Sequence, residues 1–256
     1  MRHQARKRFG QNFLTDPGVI GRIIDAISPV PGQRIVEIGP GLAALTRQLA
    51  DSGAQLHLVE IDRDLAARLR DEFAARDNVT VHEGDALSMD FGTITAGKRF
   101  RLVGNLPYNI STPLLFHVLA WSASIVDMHF MLQKEVVNRM AAAPGGKTWG
   151  RLSIMCQYHC SVAPLFDVPP EAFDPAPRVQ SAIVRLRPHA APPVDIADMK
   201  AFERLLSRAF SQRRKTLRNS LRGIVAADDM EAAGIDPGAR PETLDLAAFA
   251  QLARLA

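Results

Sequence analysis

The sequence predicts an α/β fold: a doubly wound, mostly parallel sheet followed by a small all-helical C-terminal domain. Three observations predict it. Strand-like and helix-like segments alternate over the first two-thirds of the 256 residues, the rhythm of parallel strands joined by crossover helices. The first strand-to-helix junction carries Gly39-Pro40-Gly41, which lets backbone approach a ligand at a helix N-terminus. Beyond Arg187-Pro188-His189-Ala190-Ala191-Pro192-Pro193 the strand pattern stops and only helical spacing remains. The expected domains are therefore 1–189 and 190–256.

The elements follow in order. Asp16-Pro17 reads as a helix start, with Asp as N-cap and Pro in the first turn. Val19, Ile20, Ile23, Ile24 and Ile27 then form one apolar helical stripe. Residues 34–38 are a strand, and a helix is expected through Leu42, Leu45 and Leu49. Residues 55–59 form the next strand, ending at Glu60, before a helix over 63–73. Val79-Thr80-Val81 is a short strand before Gly84-Asp85-Ala86. Then come strand 100–104, a helix near 113–120 and strand 125–131. Residues 161–166 and 180–186 read as strands close enough to pair antiparallel. In the tail, 199–210, 213–225 and 246–255 look helical, separated by Gly and Pro.

Composition excludes several classes. Hydrophobic content of 47% with 23% charged residues describes a soluble protein with a core. No apolar run is long enough to cross a bilayer, and the opening Met1-Arg2-His3-Gln4-Ala5-Arg6-Lys7-Arg8 lacks the apolar segment of a secretory signal. A cytoplasmic monomer is expected. The two cysteines, Cys156 and Cys160, are spaced to face one side of a helix. They are too few for a disulfide framework or a zinc site, so free buried thiols and no metal are expected. Net charge is only +4, but it is clustered. Arg2, Arg6, Lys7 and Arg8 form one acid-free group; Arg213, Arg214, Lys215, Arg218 and Arg222 form another. Two such patches point to a polyanion. Helical spacing puts Arg214, Lys215 and Arg218 on one face.

The chemistry sits at strand ends. Gly39-x-Gly41-x-x-Ala44, with an acid at Glu60, fits a dinucleotide site and a methyl-donor site equally. Asp85 and Asn105 separate them. Gly39, Glu60, Asp85 and Asn105 would each lie at the end of one of four strands, a ladder suited to a nucleoside-shaped cofactor along the sheet edge. Asn105-Leu106-Pro107-Tyr108 adds a use for an adenine amine. That nitrogen is a poor nucleophile because its lone pair is delocalised into the ring. The Asn105 amide oxygen and the Leu106 carbonyl can accept from it. Pro107 would hold the carbonyl in place, and the Tyr108 ring can stack on an extruded base. The ring face, not the hydroxyl, is expected to matter.

On these residues the chain resembles the small-subunit ribosomal RNA adenine dimethyltransferases of the KsgA type, over nearly its whole length. Lys7-Arg8-Phe9-Gly10-Gln11-Asn12-Phe13-Leu14 looks like the family's opening motif. Glu37-Ile38-Gly39-Pro40-Gly41 and Asn105-Leu106-Pro107-Tyr108-Asn109-Ile110-Ser111-Thr112-Pro113 look like its cofactor and catalytic motifs. Residues 173–181, from Phe173 to Ser181, are similar to its Phe-x-Pro-x-Pro-x-Val-x-Ser segment. Residues 210–217 resemble its basic helix.

The resemblance implies a class I methyltransferase fold, S-adenosyl-L-methionine as donor, and two adjacent adenosines near the 3′ end of 16S rRNA as substrate. That RNA would be met in a small ribosomal subunit or its precursor, with a role in subunit biogenesis. The cofactor residues carried over are Asn12, Leu14, Gly39, Glu60, Asp85 and Asn105, with an N-terminal flap closing over the donor. Asn105, Leu106, Pro107 and Tyr108 would serve catalysis. Arg6, Lys7, Arg8, Arg213, Arg214, Lys215 and Arg218 would bind RNA. Ala43 stands where the family usually has Gly, and Gln180 where Asp is common. The rival readings are a large-subunit rRNA adenine methyltransferase of the resistance type and a non-catalytic RNA-binding assembly factor.

Overall fold

The computed structural model describes residues 12–212 and 214–256. Arg6, Lys7, Arg8 and Arg213 lie outside the described residues. The chain forms two compact units. One runs to Val137 and resumes over Val162–Pro188; the other holds Asn138–Ser161 and His189–Ala256.

The first unit carries the sheet. Strand β1 (Phe13–Leu14) precedes α1 (Pro17–Ile27), where Asp16 Oδ1 accepts from the Val19 N–H at 2.9 Å. The cap works as the Asp-Pro pair predicts, and Val19, Ile23 and Ile27 bury one stripe. Next come β2 (Arg34–Ile38), α2 (Thr46–Asp51), β3 (Gln55–Glu60) and α3 (Arg63–Glu72). They are followed by β4 (Val79–Glu83), α4 (Phe91–Ile94), β5 (Phe100–Asn105) and α5 (Ser111–Leu119). β6 (Ile125–Gln133), β7 (Cys160–Val168), β8 (Phe173–Asp174) and β9 (Ser181–Pro188) complete the strands.

Seven strands form one sheet in the order β4-β3-β2-β5-β6-β9-β7. β2, β3, β4, β5 and β6 pair in parallel, and β9 pairs antiparallel to β6. The chain winds outward one way from β2 through β4 and the other way from β5. The crevice between those two directions is where open sheets of this kind take ligands, at the carboxyl ends of the strands. β1 and β8 pair separately, with Leu14 opposite Phe173.

The opposite end of the sheet is bolted by an ion pair. Arg101 donates from Nε and Nη2 to the two carboxylate oxygens of Asp127 at 2.7 and 2.9 Å, both residues being buried. Nη2 also donates to the Ile27 carbonyl at 2.5 Å, which ties the C-terminus of α1 to the start of β5. A buried arginine needs this many acceptors to offset its lost hydration. His129 beside it is buried, which pushes its imidazole down to about 4 and keeps it neutral at physiological pH.

The second unit is helical: α6 (Lys134–Met140), which crosses the boundary, α7 (Arg151–His159), α8 (Met199–Ala209), α9 (Leu217–Ser220), α10 (Ala227–Ala232) and α11 (Leu246–Arg254). α8 buries Phe202, Leu205, Leu206 and Ala209, one face of the helix, and packs on α11. Residues 138–161 cluster here, whereas a domain boundary near 189 would leave them with the sheet. Two hydrogen bonds account for it. Trp149 Nε1 donates to the Leu244 carbonyl at 2.8 Å, and the Gly145 N–H to Glu242 at 2.7 Å.

Three local expectations change. Residues 213–225 are not one helix. Thr216 is extended, and the N–H groups of Leu217 and Arg218 donate to the carbonyls of Ala239 and Pro237. Arg214 and Lys215 therefore precede α9 and do not share a helical face with Arg218, although all three are exposed. Cys160 opens β7 instead of continuing α7. Both thiols are free and buried, and burial pushes the thiol of Cys160 up to about 12. The helix expected from Leu42 begins only at Thr46.

Candidate active site

A cavity of about 320 Å³ opens at the carboxyl ends of β2, β3, β4 and β5. Its wall includes Asn12, Leu14, Gly39, Glu60, Asp85, Asn105, Leu106, Pro107 and Tyr108. Every residue carried over for cofactor binding or catalysis is thus on one surface. Glu37, Phe13 and Ile61 join them.

The glycine loop is built by left-handed backbone. Gly39 and Gly41 have φ of 65° and 56°, a region that favours residues without a side chain. Ala43 shares it, with φ 64°, and is fully buried. Position 43 is therefore a strained turn residue, one that glycine would occupy without strain. A Cβ on Gly41 would come within 3.1 Å of the Phe13 ring, so that ring covers the loop. A Cβ on Gly104 would lie 2.6 Å from the Ile38 carbonyl oxygen. Glycine at the end of β5 is what lets β2 and β5 close up beneath the site.

Two buried carboxyls face the cavity. Glu60 accepts from the Gly41 N–H at 3.2 Å and the Asp62 N–H at 2.9 Å. Burial raises its pKa, and these backbone donors oppose the rise. Each carboxylate oxygen has a second lone pair, so a ligand hydroxyl can still donate to it. Glu37 accepts from Thr46 Oγ1 at 2.8 Å. Burial pushes its carboxyl up to about 7, and the nearby Glu60 charge adds to the rise. Glu37 opens the Glu37–Gly41 motif, but its buried environment is set by tertiary packing that residue spacing does not report. Asp85 Oδ1 accepts from the Leu87 N–H at 2.9 Å, forming a local turn at the end of β4. Ile61 is 43% exposed despite its apolar side chain, and so offers an uncovered face inside the pocket.

The Asn-Leu-Pro-Tyr turn is fixed from several sides. The Leu106 N–H donates to the Met131 carbonyl at 3.1 Å, the Ile110 N–H to the Pro107 carbonyl at 3.2 Å, and Ser111 Oγ to the Tyr108 carbonyl at 3.1 Å. Asn105 Nδ2 donates to the Asn12 carbonyl. The Tyr108 hydroxyl meets Ser181 Oγ at 2.6 Å, a contact that sequence spacing does not reveal. In the loop before Ser181, Gln180 Oε1 accepts from Lys134 Nζ at 3.3 Å, while Asp167 takes the lysine's charge at 2.6 Å. Gln180 thus keeps a polar partner where Asp would be an acid. No cluster of three or more His, Cys, Asp or Glu that could hold a metal occurs among the described residues.

Comparisons with known proteins find relatives over nearly the whole chain. A family model described as Ribosomal RNA adenine dimethylase matches residues 2–256. The Ribosomal RNA small subunit methyltransferase A of Pseudomonas aeruginosa is 58% identical over 252 residues, covering 98% of this chain and 94% of that protein. Its namesake from Methylococcus capsulatus is 56% identical over 254 residues, covering 99% and 98%. Among solved structures, a dimethyladenosine transferase from Plasmodium falciparum superposes with a TM-score of 0.81 at 25% identity, over 94% of this chain and 95% of that one. The 23S rRNA methyltransferase ErmE superposes with a TM-score of 0.73 at 27% identity, over 95% and 98%.

Proposed function

The chain belongs to the ribosomal RNA adenine dimethylase family, and from that premise we propose how its cavity carries out the reaction. The protein is an S-adenosyl-L-methionine-dependent methyltransferase that dimethylates adenosine in the 16S rRNA of the small ribosomal subunit. Its relatives named for the small subunit are 56–58% identical, against 27% for the 23S enzyme, which favours the small subunit over the large.

One observation carries the cofactor reading: the charge of the cavity. Its wall contains Glu37, Glu60 and Asp85, and no lysine, arginine or histidine among the described lining residues. A dinucleotide would bring a pyrophosphate to the glycine loop, yet the Gly41 N–H is already donated to Glu60. An acidic wall suits a cationic ligand and repels an anionic one. Glu60 and Asp85 are suited to the hydroxyl and amine donors of an adenosine moiety, Gly39 to close backbone approach, and Asn12 and Leu14 to closing the cavity over it. Bound there, S-adenosyl-L-methionine supplies a methyl group on a cationic sulfur, electrophilic enough for a weak amine.

The protein's own part is positioning and charge stabilisation. Asn105 Oδ1 and the Leu106 carbonyl accept from the adenine amine, drawing density onto nitrogen and stabilising positive charge as it develops there. Pro107 and the Leu106 N–H bond to Met131 hold the carbonyl. Tyr108 offers a stacking face worth about 1–3 kcal/mol per base. No strong base is required, because the methylated amine loses its proton readily afterwards. The targets on this reading are two adjacent adenosines near the 3′ end of 16S rRNA, met in a precursor of the small subunit by a cytoplasmic monomer. Exposed Arg214, Lys215 and Arg218, with the N-terminal basic cluster, would contribute phosphate contacts. The test is mass mapping of methylated adenosines after incubating the protein and donor with small-subunit particles. Dimethylation of the adjacent pair is expected; label confined to 23S rRNA would overturn it.

A further inference from the structure

Ser181 is fully buried at the start of β9. Its Cα is opposite Gln133 of β6, and β6 pairs with β5, the strand that ends in Asn105. The serine therefore rides on rigid sheet. Tyr108 is on the loop after β5, 73 residues away in the chain, with its hydroxyl 2.6 Å from Ser181 Oγ. A tyrosine on a loop can turn about its first two side-chain torsions. A hydrogen bond at the para oxygen removes that freedom at the point where it moves the ring most. The segment that ends at Ser181 is anchored too: Lys134 N–H donates to the Gln180 carbonyl at 2.9 Å.

We propose that Ser181 is a positioning residue for the acceptor base, holding the Tyr108 ring so that its face borders the cavity. The assignment rests on the reading of Tyr108 as a stacking platform, and it gives the hydroxyl a task that the ring face alone does not cover. Burial raises the Tyr108 pKa, so the phenol keeps its proton at physiological pH and the contact is a neutral O–H bond.

The experiment combines Tyr108→Phe, Ser181→Ala and the double variant, measured in single-turnover methylation of small-subunit particles. Each single variant is expected to lower turnover about tenfold with donor affinity unchanged, and the double variant to be no worse than either. Losses that multiply in the double variant would overturn the proposal. The chain has two tyrosines, so a Tyr158→Phe background leaves Tyr108 as the only phenol for ultraviolet titration. Removing the Ser181 hydroxyl should move its ionisation to higher pH; no movement would refute the contact. Tyr108→Ala separates the two ideas. If it abolishes turnover while Ser181→Ala is silent, the stacking reading stands and the positioning role falls. If Tyr108→Ala keeps full turnover, both fall.

Discussion

The side-chain amide of Asn105 donates from Nδ2 to the backbone carbonyl of Asn12, 3.0 Å away. The bond fixes which end of the amide is spent: with the NH₂ committed to a carbonyl, the oxygen is the end left to accept from an amine. The segment from Asn12 to Leu14, which lines the cavity, thereby orients the amide of Asn105. Asn105→Ala should lower turnover by about 10²–10³, the usual loss when one stabilising group is removed from a developing charge. RNA affinity should change far less. Single-turnover rates set against filter binding separate the two. Equal losses in both would mean that Asn105 only holds the RNA.

Glu37 makes stability depend on pH in an unusual direction. Its carboxyl is raised by burial from an ordinary 4.5 to about 7. The folded protein therefore binds the proton more tightly than the unfolded chain. Its contribution is fully present below the unfolded value and is lost as pH rises through the folded one. Glu37→Gln keeps an acceptor for Thr46 without the charge. The variant should match the wild type near pH 4.5 and exceed it above pH 7 by up to about 3 kcal/mol. Chemical denaturation across pH measures the difference. A constant offset would mean that Glu37 does not titrate in this range.

Gly104→Ala should damage both fold and site. The added Cβ would sit 2.6 Å from the Ile38 carbonyl oxygen and 3.0 Å from Leu106 Cδ2; the leucine can turn aside, but the Ile38 backbone cannot. β2 and β5 must separate, at a cost of about 1–3 kcal/mol. Gly39 and Asn105, at the ends of these strands, would move with them. Melting temperature and donor affinity by calorimetry should fall together; donor binding at wild-type strength would contradict the requirement for close approach.

Ala43→Gly should be nearly neutral, although it empties a fully buried position. Glycine relieves a left-handed backbone cost of about 1–2 kcal/mol. Against that stand the lost burial of a methyl group, about 0.8 kcal/mol, and the freedom glycine adds to the unfolded chain, about 0.4–1 kcal/mol. The net change should stay within about 1 kcal/mol by denaturant unfolding. Ala43→Val, branched at a φ of 64°, should cost more than about 2 kcal/mol. Two variants of equal stability would mean that the turn relaxes freely.

What the sequence made legible was periodic or punctuated. The Asp16-Pro17 start, the run from Arg34 to Ile38 and the acid closing β3 announce themselves by spacing and residue type. So does the gathering of Gly39, Glu60, Asp85 and Asn105, because parallel strands put their carboxyl ends on one edge. What stayed hidden depends on partners far along the chain. The 213–225 helix fails because the Ala239 and Pro237 carbonyls take the N–H groups of Leu217 and Arg218. Residues 138–161 join the second unit through bonds such as Trp149 to Leu244. The late start of α2 follows from the backbone signs of Gly41 and Ala43, and only the glycine is visible as a residue type. Glu37 acquires its raised pKa from burial, which local pattern does not report.

The pairing of β1 with β8 places the cavity late in the protein's own history. Thr15 reaches the Ala172 carbonyl across 157 residues of sequence, and Leu14 is paired with Phe173 just beyond it. At a synthesis rate of about 5–20 residues per second, the N-terminal strand waits roughly 10–30 s for its partner to leave the ribosome. The central parallel strands can form during that interval, but the wall carrying Asn12 and Leu14 cannot yet be fastened. A nascent chain stalled before Phe173 would therefore hold much of the sheet with this wall of the cavity unfastened. The wall that Asn12 and Leu14 give the cavity is therefore fastened only after Phe173 has been made, by the same bonds that join the two distant segments.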